Sequence, residues 1–219
     1  MSMTLEEGVY EDFIAQLYEE HKKEAIEEFT VERLQSYYLK NKLLAKPALQ
    51  ALKEARNLVK LNVTAGFIFG AISMEVGLKA TLLKPIVYGL VHIDSIAGII
   101  TDLTISHTGM DRYRNLLSQI LKDHGAVDLD NYKREGTNKS FWEEIKEVQK
   151  VRNLVVHRGQ LASVEQAELS INVASEILEK IFPKILNKIG LHLHDDFRVC
   201  DDWKCKYAGT EMEKLIKGT

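Results

Sequence analysis

Arg152 and His157, with Asn153 beside the arginine, are the residues of this chain best suited to chemistry. An imidazole titrates near neutral pH and can take or give a proton. A guanidinium presents a fixed fork of donors to phosphate or carboxylate oxygens. All three lie in Val151-Arg152-Asn153-Leu154-Val155-Val156-His157-Arg158-Gly159, the end of a charged, amphipathic run. On a straight helix Asn153 sits about 40° from His157, close enough for its amide to orient the imidazole. Arg152 sits about 140° from His157, so one helix does not bring the two together. A second copy across a two-fold axis would place two of each in one cleft. Arg152 also occupies the apolar stripe of Phe141, Ile145, Val148 and Val155. A guanidinium there needs an ionic partner or a wet cleft, and Glu75 is the simplest partner. The plainer alternative makes Arg152–Glu75 a structural pair and His157 a cap on the helix end.

The helix carrying these residues has clear start and stop signals. Ser140 with Glu143 forms a capping box, and Gly159 ends the run. Upstream, Leu5 to Glu28 has helical spacing and reads as an N-terminal extension, its acids a solvated face. Thr30 is placed to cap a second run, Val31 to Leu61, which Pro47 kinks or splits. Asn62 to Leu83 is apolar nearly all round and carries Gly66, Gly70 and Gly77, so it predicts a buried central helix with close neighbours. Glu75 and Lys79 interrupt it, and it lacks the clean apolar span of a membrane helix. Pro85 to Ile105 and Met110 to Lys122 predict further helices around a break at Ser106–Gly109. Asp123 to Asn138 reads as a loop. Ser163 to Ile189 predicts a last long helix, with Pro183 late in it. Residues 190–219 read as an appendage, with a short helix at Glu211 to Ile216.

Composition narrows the function. Charged residues are 28% of the chain and the net charge is −3, so no global basic field marks a nucleic-acid binder and any such contact must be local. The first residues lack a basic stretch followed by an apolar core, and two cysteines do not make a disulfide framework, so a cytoplasmic protein is expected. No strand-alternating core and no phosphate-binding glycine loop occur, which leaves an all-α protein without a nucleotide cofactor.

Arg152-Asn153, three further residues and His157 match the R-x4-6-H signature of HEPN domains, including the polar residue after the arginine. The element order is also similar: long amphipathic helices, an apolar helix bearing an acid, a variable insert, the motif helix and a closing helix. The resemblance covers roughly residues 31–189. It implies an all-α, HEPN-like antiparallel helical bundle, flanked by an N-terminal helical extension (1–30) and a C-terminal appendage (190–219). It further implies a homodimer joined through the motif helix. Many such proteins are metal-independent endoribonucleases in toxin–antitoxin, phage-defence or RNA-processing systems; others bind protein or RNA without cleaving. Carried over, Arg152 and His157 are the catalytic pair, Asn153 supports them, and Glu75 loosely matches the acid of the earlier helix. An antitoxin or other partner protein is a candidate companion; no cofactor and no membrane are implied.

RNA carries its own nucleophile, the 2′-hydroxyl. A protein need only move protons and offset charge on the phosphorane-like transition state, as His157 and Arg152 can. Lys146, Lys150 and Arg158, with Lys133, Arg134 and Lys139 near in sequence, are candidates for a local RNA-binding patch. His192, His194, Cys200 and Cys205 contain H-x-H and C-x4-C, but the cysteine spacing is wide and they read as surface residues of the appendage, so no metal is expected. His92, Asp94, Asp102 and His107 form no recognised hydrolase arrangement and read as structural or cleft-lining.

Overall fold

The computed structural model describes residues 30–91, 118, 121–122 and 127–206. Helix α1 spans residues 30–40, α2 Lys46–Leu58 and α3 Val63–Val76. A π-helical stretch, Gly77–Leu83, carries α3 into α4, Lys84–Leu90. An irregular segment, 127–140, leads into α5, Phe141–Arg158. Helix α6, Val164–Ser175, passes through a second π-helical stretch, Glu176–Ile181, into α7, Phe182–Lys188. Two short strands follow: β1, His192–Leu193, and β2, Val199–Cys200. They pair antiparallel, His192 opposite Cys200 and Leu193 opposite Val199. The N-terminal extension, the elements expected between 92 and 117, and the helix expected at 211–216 lie outside the described residues.

The prolines explain the segmentation. Pro47 sits in the first turn of α2, where its missing N–H costs nothing, and the turn at 41–45 splits the long run as the sequence predicts. Pro85 and Pro183 behave differently: both continue their helices. A helical proline offers no N–H and clashes with the carbonyl four residues back. Each is preceded by a π-helical stretch, in which bonding shifts by one residue. The Lys84 N–H bonds to Lys79 and that of Phe182 to Ile177. The Thr81 carbonyl, four residues before Pro85, instead accepts the Tyr38 hydroxyl at 2.8 Å. The boundary expected between Leu83 and Pro85 is therefore absent.

Helix α3 is the centre of the bundle, with Phe67, Ala71, Met74 and Leu78 inside the core. Asn62 caps it, accepting from the Ala65 N–H at 3.0 Å. Helix α2 doubles back on it, with Ser73 donating to the Ala48 carbonyl at 2.8 Å. Helix α6 runs parallel to it: Thr64 accepts from the Ala162 N–H, Ser170 donates to Phe67, and Gly77 faces Ile177 and Leu178. Helix α5 runs antiparallel to α3: Arg152 lies beside Glu75, and Ala162, just past the end of α5, reaches Thr64. Val63–Gly89, 27 residues, is the one helix among those described that is long and apolar enough to cross a membrane. Most of its apolar window is buried inside the bundle, as expected of a central helix.

Polar groups lock the segment before α5. Arg134 makes two hydrogen bonds of 2.7 Å to Glu144, whose side chain is 3% exposed. Tyr132 donates to the buried Glu176 at 2.7 Å. At the start of α5, Ser140 and Glu143 form the expected capping box, and the Ser140 hydrogen bonds hold the Glu143 carboxyl below the usual range.

Three outcomes follow. A Cβ at Gly66 would lie 2.6 Å from the Val59 Cα, so Gly66→Ala should lower stability in urea melts by about 1–3 kcal/mol. Arg134→Ala strands the Glu144 carboxylate inside the protein and should cost about 3–5 kcal/mol. The Glu143 carboxyl is depressed, so its contribution is present above the ordinary carboxylate range and lost as pH falls through its lowered value. The melting temperatures of wild type and Glu143→Gln should therefore differ at neutral pH and converge in acid.

Candidate functional site

Helix α5 leaves the core gradually. Phe141, Ile145 and Val148 are buried, Val151 and Val155 are half-buried, and Asn153, Val156, His157 and Arg158 are exposed. Arg152 sits on the edge of the apolar stripe rather than within it. Its Nε lies 3.8 Å from Glu75 Oε1, and the two side chains are 34% and 24% exposed. Glu75 is thus paired as expected, but at the rim, where water screens the pair. Arg152 Nη1 also donates to Asn153 Oδ1 at 3.2 Å, so Asn153 holds the arginine and not the imidazole. His157 has no hydrogen-bond partner among the described residues and does not cap a carbonyl. The structure therefore brings together Glu75, Arg152 and Asn153, and presents His157 separately to solvent one turn beyond Asn153.

The α5 surface carries a pattern of its own. Lys146, Lys150, Asn153 and His157 recur at intervals of four, three and four residues and are all exposed. On a helix they fall within about 60° of one another, forming one stripe that ends at the imidazole. Arg158 is exposed but lies about 100° from His157. Two other expected members of a basic patch are engaged elsewhere. Arg134 is committed to Glu144, and Lys139 to Glu147 at 2.6 Å. Each has a carboxylate of α5 within reach; Lys133 and Lys139 are both exposed.

Ile72, Val156, Leu161 and Val164 are exposed. Ile72 lies three residues before Glu75 on α3, and Val156 four residues after Arg152 on α5, so each shares a helix face with one member of that ion pair.

The second cluster of chemically capable side chains corrects an expectation. His192, His194, Cys200 and Cys205 are not dispersed over a surface tail. One ligand atom from each falls within 4.8 Å of the others. His192 is 3% exposed, and neither ring nitrogen has a hydrogen-bond partner. Burial pushes its imidazole below the ordinary histidine pKa, with His194 adding to the effect. The signal for this cluster was the alternation of H-x-H: on a strand, residues two apart share a face. A third feature was missed. Arg33, Ser36, Tyr37, Lys40, Asn41, Lys84 and Tyr88 line a cleft of about 400 Å³. Spacings of three and four along α1 mark its lining, but no motif does. His92, Asp94, Asp102 and His107 lie outside the described residues. Comparison of the chain with family models, curated proteins and solved structures gave no match.

The rim position of Arg152 makes a prediction. Losing a half-exposed ion pair at 3.8 Å costs at most about 1 kcal/mol. Arg152→Ala and Glu75→Gln should each remain folded, with urea midpoints close to that of the wild type.

Proposed function

We propose that the chain is a HEPN-like endoribonuclease that cleaves without a catalytic metal and acts as a homodimer joined through α5. The observation that supports this most is the placement of the signature. Arg152, Asn153 and His157 stand at the exposed end of α5, and the same helix carries Lys146 and Lys150 in line with His157. A chain with a net charge of −3 needs such a local stripe to hold a phosphate backbone.

In this reading the RNA backbone follows the Lys146–Lys150 stripe to its end. His157 removes the proton of the 2′-hydroxyl, whose oxygen attacks the adjacent phosphorus. Arg152 donates to the non-bridging oxygens and offsets the charge that develops there. The P–O5′ bond breaks, the leaving oxygen takes a proton from solvent, and the products are a 2′,3′-cyclic phosphate and a 5′-hydroxyl. Asn153 keeps the Arg152 fork aimed, and Glu75 sets its direction from the facing helix. Arg152 and His157 project at different angles from one helix, so a two-fold pairing supplies the missing convergence. The exposed Ile72, Val156, Leu161 and Val164 provide apolar surface for that pairing. A toxin–antitoxin or phage-defence setting, with an antitoxin as partner, suits such an activity.

The same apolar surface suits a second reading, a non-catalytic HEPN-like module that binds protein or RNA. In it the Arg152–Glu75 pair is structural. The two readings separate in one assay. Purified protein is incubated with total RNA and with tRNA in EDTA, beside Arg152→Ala and His157→Ala. Cleavage by the wild type, reduced about 100-fold or more in both folded variants, supports the nuclease. Intact RNA with every protein supports the binding module.

A further inference from the structure

We propose that His192, His194, Cys200 and Cys205 are the four ligands of one tetrahedral zinc ion, which staples the C-terminal hairpin to the turn that follows it. The backbone creates the arrangement. His192 and His194 lie two residues apart along β1 and its continuation, so their side chains share a face; their rings stack 5.3 Å apart. Cys200 is the register partner of His192 across the strand pair. Cys205 comes back to the same place through a tight turn, closed by the Cys205 N–H to the Asp202 carbonyl at 3.0 Å. Its sulfur then lies 3.1 Å from His194 Nε2.

The distances suit the ion. Zinc bonds of about 2.0–2.3 Å place tetrahedral ligand atoms roughly 3.3–3.8 Å apart. The widest separation in the cluster is no more than 4.8 Å, so closing on the ion needs a shift of about one ångström. The chemistry suits it as well. Two thiolates and two neutral imidazoles balance a double positive charge, and this donor set selects zinc among common divalent ions. The Asp202 N–H points at Cys200 Sγ at 3.4 Å, the outer-shell contact that steadies a metal thiolate.

An independent observation carries the same conclusion. His192 is buried with both ring nitrogens unpartnered, an arrangement that costs free energy unless something binds a nitrogen. A metal supplies that partner. The hairpin also needs a staple, because two residues per strand cannot hold a sheet together. Its turn includes Phe197 at a φ of 68°, a left-handed conformation for a residue with a side chain. The hairpin nevertheless docks closely: Val199 donates to the Lys42 carbonyl at 2.9 Å, and Leu191 and Val199 are buried. With all four positions filled by protein the ion is structural, and no step of RNA cleavage passes through it.

The test uses the full-length protein, purified under reducing conditions without chelator. Elemental analysis should find one zinc per chain. After exchange with Co²⁺, absorption should show the intense ligand-field bands of a tetrahedral site and sulfur-to-cobalt charge transfer. Cys205→Ser should keep its helical circular dichroism while the charge-transfer band falls to about half, one thiolate of two being lost. The Cys200→Ser, Cys205→Ser double variant should lose the band. Chelation should speed proteolysis within residues 190–206 without changing helix content. Protein free of zinc, an undiminished cobalt spectrum in the double variant, or a Cys200–Cys205 disulfide in the reduced preparation would overturn the assignment.

Discussion

The close approach of α3 to its two neighbours is the contact on which the rest of the molecule depends. Gly66 leaves room for the backbone of α2 at Val59, and Gly70 leaves room for Ser170 on α6. With side chains there the helices would stand apart, and Phe67, Ala71 and Met74 would lose the partners that fill the core. The same proximity lets polar groups pair inside. Ser73 reaches the Ala48 carbonyl, and Ser170 reaches Phe67. A helix this apolar holds its place because the bundle surrounds it.

From that arrangement the position of α5 follows. It packs most deeply by its first two turns, where Phe141, Ile145 and Val148 reach the core, and its last turns keep only partial contact through Val151 and Val155. That divergence is what exposes Asn153 and His157 and brings Arg152 to the rim beside Glu75. A guanidinium at the rim keeps its hydration and its freedom to turn toward a phosphate. One fixed inside, as Arg134 is on Glu144, serves the fold alone. The molecule thus holds one arginine–carboxylate pair inside and one at the rim.

Much of this was legible in the sequence. Helical periodicity, the Ser140–Glu143 box and Gly159 mark α5 nearly to the residue, and the all-round apolar character of α3 marks the centre. The continuation past Pro85 was not legible, because it depends on a tertiary bond from Tyr38 to the Thr81 carbonyl. The partner of Asn153 was missed for a related reason: angles on an ideal helix omit the reach of a long side chain to its own neighbour. The His192 cluster was named in the sequence but read as surface residues, whereas His192 is buried. Two short motifs, weak when taken separately, gain meaning when strand register sets His192 opposite Cys200. Register is a property of the folded hairpin and not of either motif.

The central claim is that α5 presents a ribonuclease site, and the chemical ends of any RNA fragments test it most directly. Attack by the 2′-hydroxyl leaves a 2′,3′-cyclic phosphate and a 5′-hydroxyl, whatever the sequence cleaved. The account predicts those ends in EDTA. Fragments bearing 5′-phosphates, formed only when a divalent cation is added, would contradict it, because water activated on a metal would then be the nucleophile.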